Sequence, residues 1–479
     1  NAITGPITIA AGALQVSNGG ALGTGTIYVS PSANIVGSAL QLSGGITLAN
    51  PIVPQGNNNV KFGGINFGGQ VQSVSGSNTL SGPIAVNYDL AFGADLGATL
   101  NLSGVITNTG VRAVAFAGAG TINVLSVLTS SYYAIEKHGS GLLNLSAANP
   151  ITLTNNLTLY GGTLALNGGG TLSGATTIAA TVNPGATLLL DNSAAAISGR
   201  LGTRPITLGG NLTLTGSAGT SVSETFGALT PLAGASVITL NGGSAALNVA
   251  SIGTVPTGAT FLVRGTNLGA GSLDAGTATF ATTTTGVTFV GGTGATGSKN
   301  KGILPWALVD SSATGFGATG IGTSFATTDS AAATTGTVGA IWRPLSASEY
   351  DTTLVSGNNV VLSSGVALST GTLALNSLTL NSGGGVSLQA TQTLTISSGG
   401  LLLQDGNSGI SGGILSSGAT SLWVFTPSNT GATSSISSAL TGTFALTKSG
   451  AGTLVLGGTA AGFPTLSANT FTGQTTINE

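Results

Sequence analysis

Few side chains in this sequence could do chemistry. There is one histidine, His138, and no cysteine. A zinc centre needs three or four ligands, so neither an imidazole nor a thiolate site can be assembled, and a cysteine nucleophile is excluded. A Ser-His-Asp triad would have to use His138, yet no Gly-x-Ser-x-Gly elbow joins a strand to a helix. The expectation for His138, beside Lys137, is a turn at the surface. Carboxylates remain, and glycan hydrolysis needs two or three of them converging on one face. Asp329 and Asp351 flank Arg343 and Glu349 in the chain. Their separation is about the length of one turn of a repeating fold, which could bring that pair together. An ion-pair cluster around Arg343 is the simpler expectation. Asp89 and Asp95, near Tyr88 and Phe92, read as solvated turn residues, and Asp405-Gly406-Asn407 as an Asx turn. Gly291-Gly292-Thr293-Gly294 lacks the Lys-Ser/Thr and the helix of a phosphate loop. No catalytic residue, metal or cofactor is expected.

The elements that carry these residues must form with very little charge. The 479 residues include ten basic and twelve acidic side chains, 5% in all, against about 25% in ordinary soluble domains. At net charge −2, with only 5% aromatics, there is no field for phosphates and little to stack on bases, so a nucleic-acid partner is excluded. A hydrophobic content of 41% argues against disorder. No apolar run reaches the roughly 18 residues of a membrane helix, so no transmembrane segment is expected in this piece. Cysteine and methionine are both absent, which suits a secreted product and an excised piece of a longer chain.

Helical periodicity is missing, and glycine recurs too often for helix interiors, with 80 copies. Short alternations closed by Gly, Asn or Ser recur instead, as in Gly162-Thr163-Leu164-Ala165-Leu166-Asn167 and Gly452-Thr453-Leu454-Val455-Leu456. Each puts aliphatic side chains on one face of a strand and small polar ones on the other. Leu143, Leu164, Leu188 and Leu212 recur at a nearly constant interval, and so do Leu373 with Leu394 and Leu378 with Leu401. The interval is roughly 21 to 24 residues, a length suited to one coil of a solenoid. The pairs Leu373/Leu375 and Leu378/Leu380 read as two strand centres. Asn144, Asn167 and Asn192 follow nearly the same beat, which predicts a ladder of turn amides. The spacing predicts an all-β fold, a parallel β-solenoid of roughly 20 coils and a rod on the order of 100 Å. Tandem β-sandwiches are the alternative, disfavoured by the scarcity of aromatics.

One stretch breaks the rhythm. Residues 299–351 hold seven charges and two of the three tryptophans, Trp306 and Trp342. Domain boundaries are therefore set at 1–298 for solenoid repeats, 299–351 for an irregular insertion or side-packed subdomain, and 352–479 for further repeats ending in mid-repeat. Trp306, Trp342, Arg343, Glu349 and Asp351 are its candidate ligand or partner contacts. A smaller candidate insertion runs from Pro51 to Asn59.

Residues 446–478 place Lys448, Gly450, Gly452, Leu454 and Leu456 before Asn469, Phe471 and Gly473. This pattern resembles the autotransporter-associated β-strand repeat. A weaker copy begins at Glu136-Lys137-His138-Gly139-Ser140-Gly141 and departs at Asn149-Pro150-Ile151, where the aromatic and glycine are missing. The resemblance implies a secreted or surface-exposed parallel β-helix, commonly a passenger or stalk, and gives the motif residues structural roles. It implies no reaction, and no translocator barrel follows the motif here. The expectation is a non-enzymatic structural protein, extracellular or on the bacterial surface, serving as stalk, adhesin or fibre subunit. Its expected partners are further copies, end to end or side by side, and glycans or a host or neighbouring cell surface. The alternatives are a carbohydrate-active β-helix enzyme and a glycan-binding module using 299–351.

Overall fold

A computed structural model describes residues 3–29, 37–55, 68–129, 131–149, 152–172, 177–269, 276–282, 287–314, 323–329, 340–369, 371–428, 430–457 and 469–478. The chain is 54% strand and forms a parallel β-solenoid of about 17 turns. That is fewer than the sequence period predicts, because some turns consume far more chain than the regular coil. Ile52 pairs with Ile84 and Leu262 with Leu308, both longer steps than the regular one from Leu143 to Leu164. The chain divides into two compact units, Asn1–Thr230 and Pro231–Glu479. The Gly56–Asn59 part of the smaller candidate insertion lies outside the described residues.

In the first unit a coil carries up to three short strands, each pairing in parallel with its counterpart one coil later. Leu90–Ala94 pairs with Val114–Gly118, Thr99–Leu102 with Thr121–Val124, and Ile84–Val86 with Ile106–Asn108. The expected leucine spacing is the true register: Leu143 lies against Leu164, Leu164 against Leu188, and Leu188 against Leu212. All four side chains are buried, as the alternation requires. Phe92, expected beside a loop, sits in the strand Leu90–Ala94 and stacks on Phe116 of the next coil at 5.7 Å.

The second unit contains two solenoid limbs. The first limb runs through Gly234–Asn241, Ala259–Gly265 and Leu304–Asp310, paired in parallel. Direction then reverses. Ser324–Thr328 and Ala340–Pro344 pair antiparallel with each other, the former also with Leu304–Asp310 and the latter with Ala278–Thr282. The second limb starts at Asn359–Leu362 and continues through Thr372–Leu380, Thr393–Leu403, Ser421–Phe425 and Ala445–Ser449 to Thr475–Ile477. Leu373/Leu375 and Leu378/Leu380 belong to one strand, not two. A register shift after Leu375 accounts for the two unequal spacings within it.

The limbs pack through aliphatic and aromatic side chains of their outer faces. Ile303, Leu308 and Phe325 meet Leu402 and Phe425, with the two phenylalanine rings edge to face at 6.1 Å. Further along, Thr260 Oγ1 donates to Ser449 Oγ at 2.9 Å, and Asn478 Nδ2 donates to the Gly258 carbonyl at 2.9 Å.

Candidate functional site

The described parts of 299–351 hold the last parallel strand of the first limb and the two antiparallel strands of the reversal, and their marked residues close it from within. Trp306 and Trp342 are 8% and 1% exposed. They extend an edge-to-face chain from Phe261 to Trp306 at 5.7 Å, Trp306 to Trp342 at 5.9 Å, and Trp342 to Phe280 at 4.8 Å. Large rings fill the wider space that opens where the regular aliphatic stack stops.

Arg343 forms the polar half of this closure. Its Nη1 and Nη2 donate to the two oxygens of Glu349 at 2.8 Å each, and its Nε donates to Asp329 Oδ1 at 2.6 Å. Glu349 is fully buried and also accepts from the backbone N–H groups of Gly297 and Ser346. Burial alone would raise the Glu349 pKa, but the Arg343 hydrogen bond and these backbone donors hold it down at about 2. Burial likewise works against the Arg343 charge, and the hydrogen bonds to Glu349 and Asp329 outweigh it.

Asp351 belongs to a separate pair with Lys299 and also accepts from Asn358. The two candidate catalytic carboxylates, Asp329 and Asp351, thus sit with different cations. A buried amide network holds the same loop to the start of the second limb: Asn359 and Asn376 both donate to the Lys301 carbonyl, and Asn376 Nδ2 donates to Asn359 Oδ1 at 2.7 Å.

The residues singled out by the repeat motif have concrete work. Lys448 is buried, and its ammonium caps the carbonyl of Gly450. Lys137 does the same in the first unit, donating to the His138 and Gly139 carbonyls at 2.7 and 3.0 Å, and burial lowers its pKa to about 8. Gly139 and Gly450 follow these lysines at φ +70° and +96°, a region glycine alone enters freely. A Cβ on Gly452 would come within 2.7 Å of the Thr426 carbonyl oxygen, and one on Gly473 within 2.3 Å of that of Phe444. Phe471 stacks on Phe444 at 5.6 Å, and Asn469 accepts the Leu440 N–H at 2.9 Å. Asn149 accepts the Leu128 N–H in the same way, so the weaker copy keeps this contact despite lacking the aromatic. In the strand Thr453–Leu456, Leu454 is half-buried against the core and Leu456 is exposed.

The amide ladder is real but differs in membership. Asn123 Nδ2 donates to Asn101, Asn144 Nδ2 to Asn123, and Asn167 Nδ2 to Asn144, at 2.8, 2.7 and 3.1 Å. Asn192 is not in it. It is buried and accepts from Arg200 Nε at 2.8 Å. Arg200 and Glu224 were not singled out by the sequence reading, since an isolated charge in a Gly/Ser-rich stretch looks solvated. Both are fully buried in the first unit. Arg200 bonds the carbonyls of Gly168, Gly170 and Ala195, while Glu224 Oε1 accepts the Arg200 N–H at 2.9 Å. Burial pushes the Glu224 carboxyl up to about 7, against the backbone N–H of Arg200 and the Arg200 charge. His138, as expected, is a turn residue: it bonds Glu136 at 3.1 Å and stacks on Tyr160 at 4.4 Å.

A cleft of about 400 Å³ opens between the limbs of the second unit. Pro256, Pro305, Trp306 and Trp423 form its apolar walls. Among the described residues no group of three or more His, Cys, Asp or Glu side chains could hold a metal ion. Among them, too, no helix is long and apolar enough to cross a membrane. No protein-family model, curated protein or solved structure matches the chain.

Proposed function

We propose that this chain is a non-enzymatic structural protein of the bacterial exterior, a β-solenoid acting as a surface stalk, adhesin or fibre subunit. The observation that carries the reading is the coil-to-coil ladder: aliphatic residues stacked in register inside, and amides such as Asn101, Asn123 and Asn144 bonded in series outside. Such a ladder makes each coil the template of the next and gives stiffness along the stack. The resemblance to the autotransporter-associated repeat supports the location, because Lys137 and Lys448 perform the same capping in both copies. Lateral association draws support from the second unit, where two outer faces already pack together through aliphatic and aromatic side chains and a Thr260–Ser449 hydrogen bond. A sheet skin with so little charge lacks the usual defence against such pairing.

Immunogold microscopy of intact, unpermeabilised producing cells, with antibody to the purified chain, tests the proposal. Label along filaments supports a fibre subunit, and discrete label at the envelope supports a stalk or adhesin. Label that appears only after permeabilisation overturns the reading.

A further inference from the structure

The cleft between the limbs of the second unit combines aromatic walls with hydroxyls, and no described charged side chain lines it. Two of the three tryptophans in the chain, Trp306 and Trp423, line it together with Pro256 and Pro305. Among the described residues, no acidic, basic or imidazole side chain contributes to its lining. The exposed Thr257 and Thr420 and the half-buried Ser397 place hydroxyls at its rim. Its volume, about 400 Å³, is within the usual range for small-molecule sites.

Those features select the ligand. A charged ligand would leave water and find no counter-ion, at a cost that dispersion against indole does not offset. A purely apolar ligand would leave the rim hydroxyls without partners. A neutral pyranose satisfies both requirements, since its axial C–H face lies on an aromatic plane and its equatorial hydroxyls reach sideways.

We propose that this cleft binds a neutral carbohydrate, with the half-buried Trp423 as the stacking surface and Thr257, Ser397 and Thr420 as the hydroxyl contacts. The ligand is one to two hexose units, held without any charged group. The site stands apart from assembly of the solenoid, so it can fail while the structural reading survives. None of the ion-paired residues Lys299, Asp329, Arg343, Glu349 and Asp351 lines it. Of the five contact candidates read from the sequence, only Trp306 lines it.

The test uses the full chain and its own tryptophan emission, which reports the cleft through two of its three indoles. Cellobiose, lactose, mannobiose and N,N′-diacetylchitobiose are titrated against 3′-sialyllactose and a proline-rich peptide. At least one neutral disaccharide should change the emission saturably. Thr420→Arg, an exposed rim substitution that leaves the core intact, should weaken that binding about tenfold or more. Trp423→Phe keeps a smaller aromatic plane and should weaken it less. Tyr133→Ala, at an exposed aromatic of the first unit, should leave it unchanged. Binding of no neutral disaccharide, binding of only sialyllactose or the peptide, or affinity indifferent to Thr420→Arg would each overturn the proposal.

Discussion

The first unit and the reversal in the second solve the same problem with different chemistry. In the first unit a strand edge is satisfied by the next coil, so aliphatic pairs such as Leu164 on Leu188 and amides such as Asn144 on Asn123 suffice. At the reversal the next coil is missing and strands turn antiparallel. There the core is closed by four aromatic rings and the edge by a guanidinium with two carboxylates. Monotony is enough for propagation, whereas a change of direction needs the residues that are rarest in the sequence. The molecule concentrates interaction strength where its repeat fails.

The comparison can be broken at its strongest point. Arg343→Ala leaves Glu349 buried without its cation, and removing one partner of such a pair typically costs about 3–5 kcal/mol. All three tryptophans lie in the second unit, so urea unfolding followed by tryptophan emission should show the loss directly. Hydrogen exchange in the first unit should change little. If the midpoint does not move, the ion cluster is ornamental and the aromatic chain alone closes the reversal.

The first unit has its own concealed charge, and pH exposes it. Glu224 titrates near 7 in the folded unit, against roughly 4.3 in an unfolded chain. Its folded pKa is raised, so its share of stability is complete below the unfolded value. That share is lost as pH rises through the folded value, because the unfolded carboxyl ionises first. Between about pH 4.5 and 7 the unit should lose about 3 kcal/mol from this group. Glu224→Gln should flatten the dependence, measured by hydrogen exchange of the loop 197–204 at pH 5 and pH 8. An unchanged slope would assign the pH dependence elsewhere.

What the sequence disclosed follows the same division. Registers such as Leu143 to Leu164 and Leu373 to Leu394 were legible, because in-register stacking forces like residues to recur at the coil length. Lys448, Gly450 and Asn469 stood out because alternation does not require them, and each makes a backbone contact or turn in the structure. Trp306, Trp342, Arg343, Glu349 and Asp351 stood out by type, but type does not say which way a side chain points. The structure turns them inward. Asn192 kept the beat of the ladder and still left it, because Arg200 needed an acceptor inside the fold. Trp423 went unremarked, since its partner across the cleft, Trp306, is distant in the chain and only folding back joins them.

The smallest effects give the sharpest contrast, because the same substitution can be made in both regions. Asn144 sits half-buried in the surface ladder, with water ready to replace Asn123 and Asn167. Asn144→Ala should therefore cost only about 1 kcal/mol. Asn359 is fully buried and bonds the Lys301 carbonyl, Asn376 and Ser377. Asn359→Ala strands Ser377 Oγ with no water to take over, so it should cost about 2–3 kcal/mol. Both are measured by urea unfolding, the first through far-ultraviolet dichroism and the second through tryptophan emission. Equal costs would mean that the ladder is as enclosed as the reversal. The contrast between a skin that propagates and a joint that holds would then have to be abandoned.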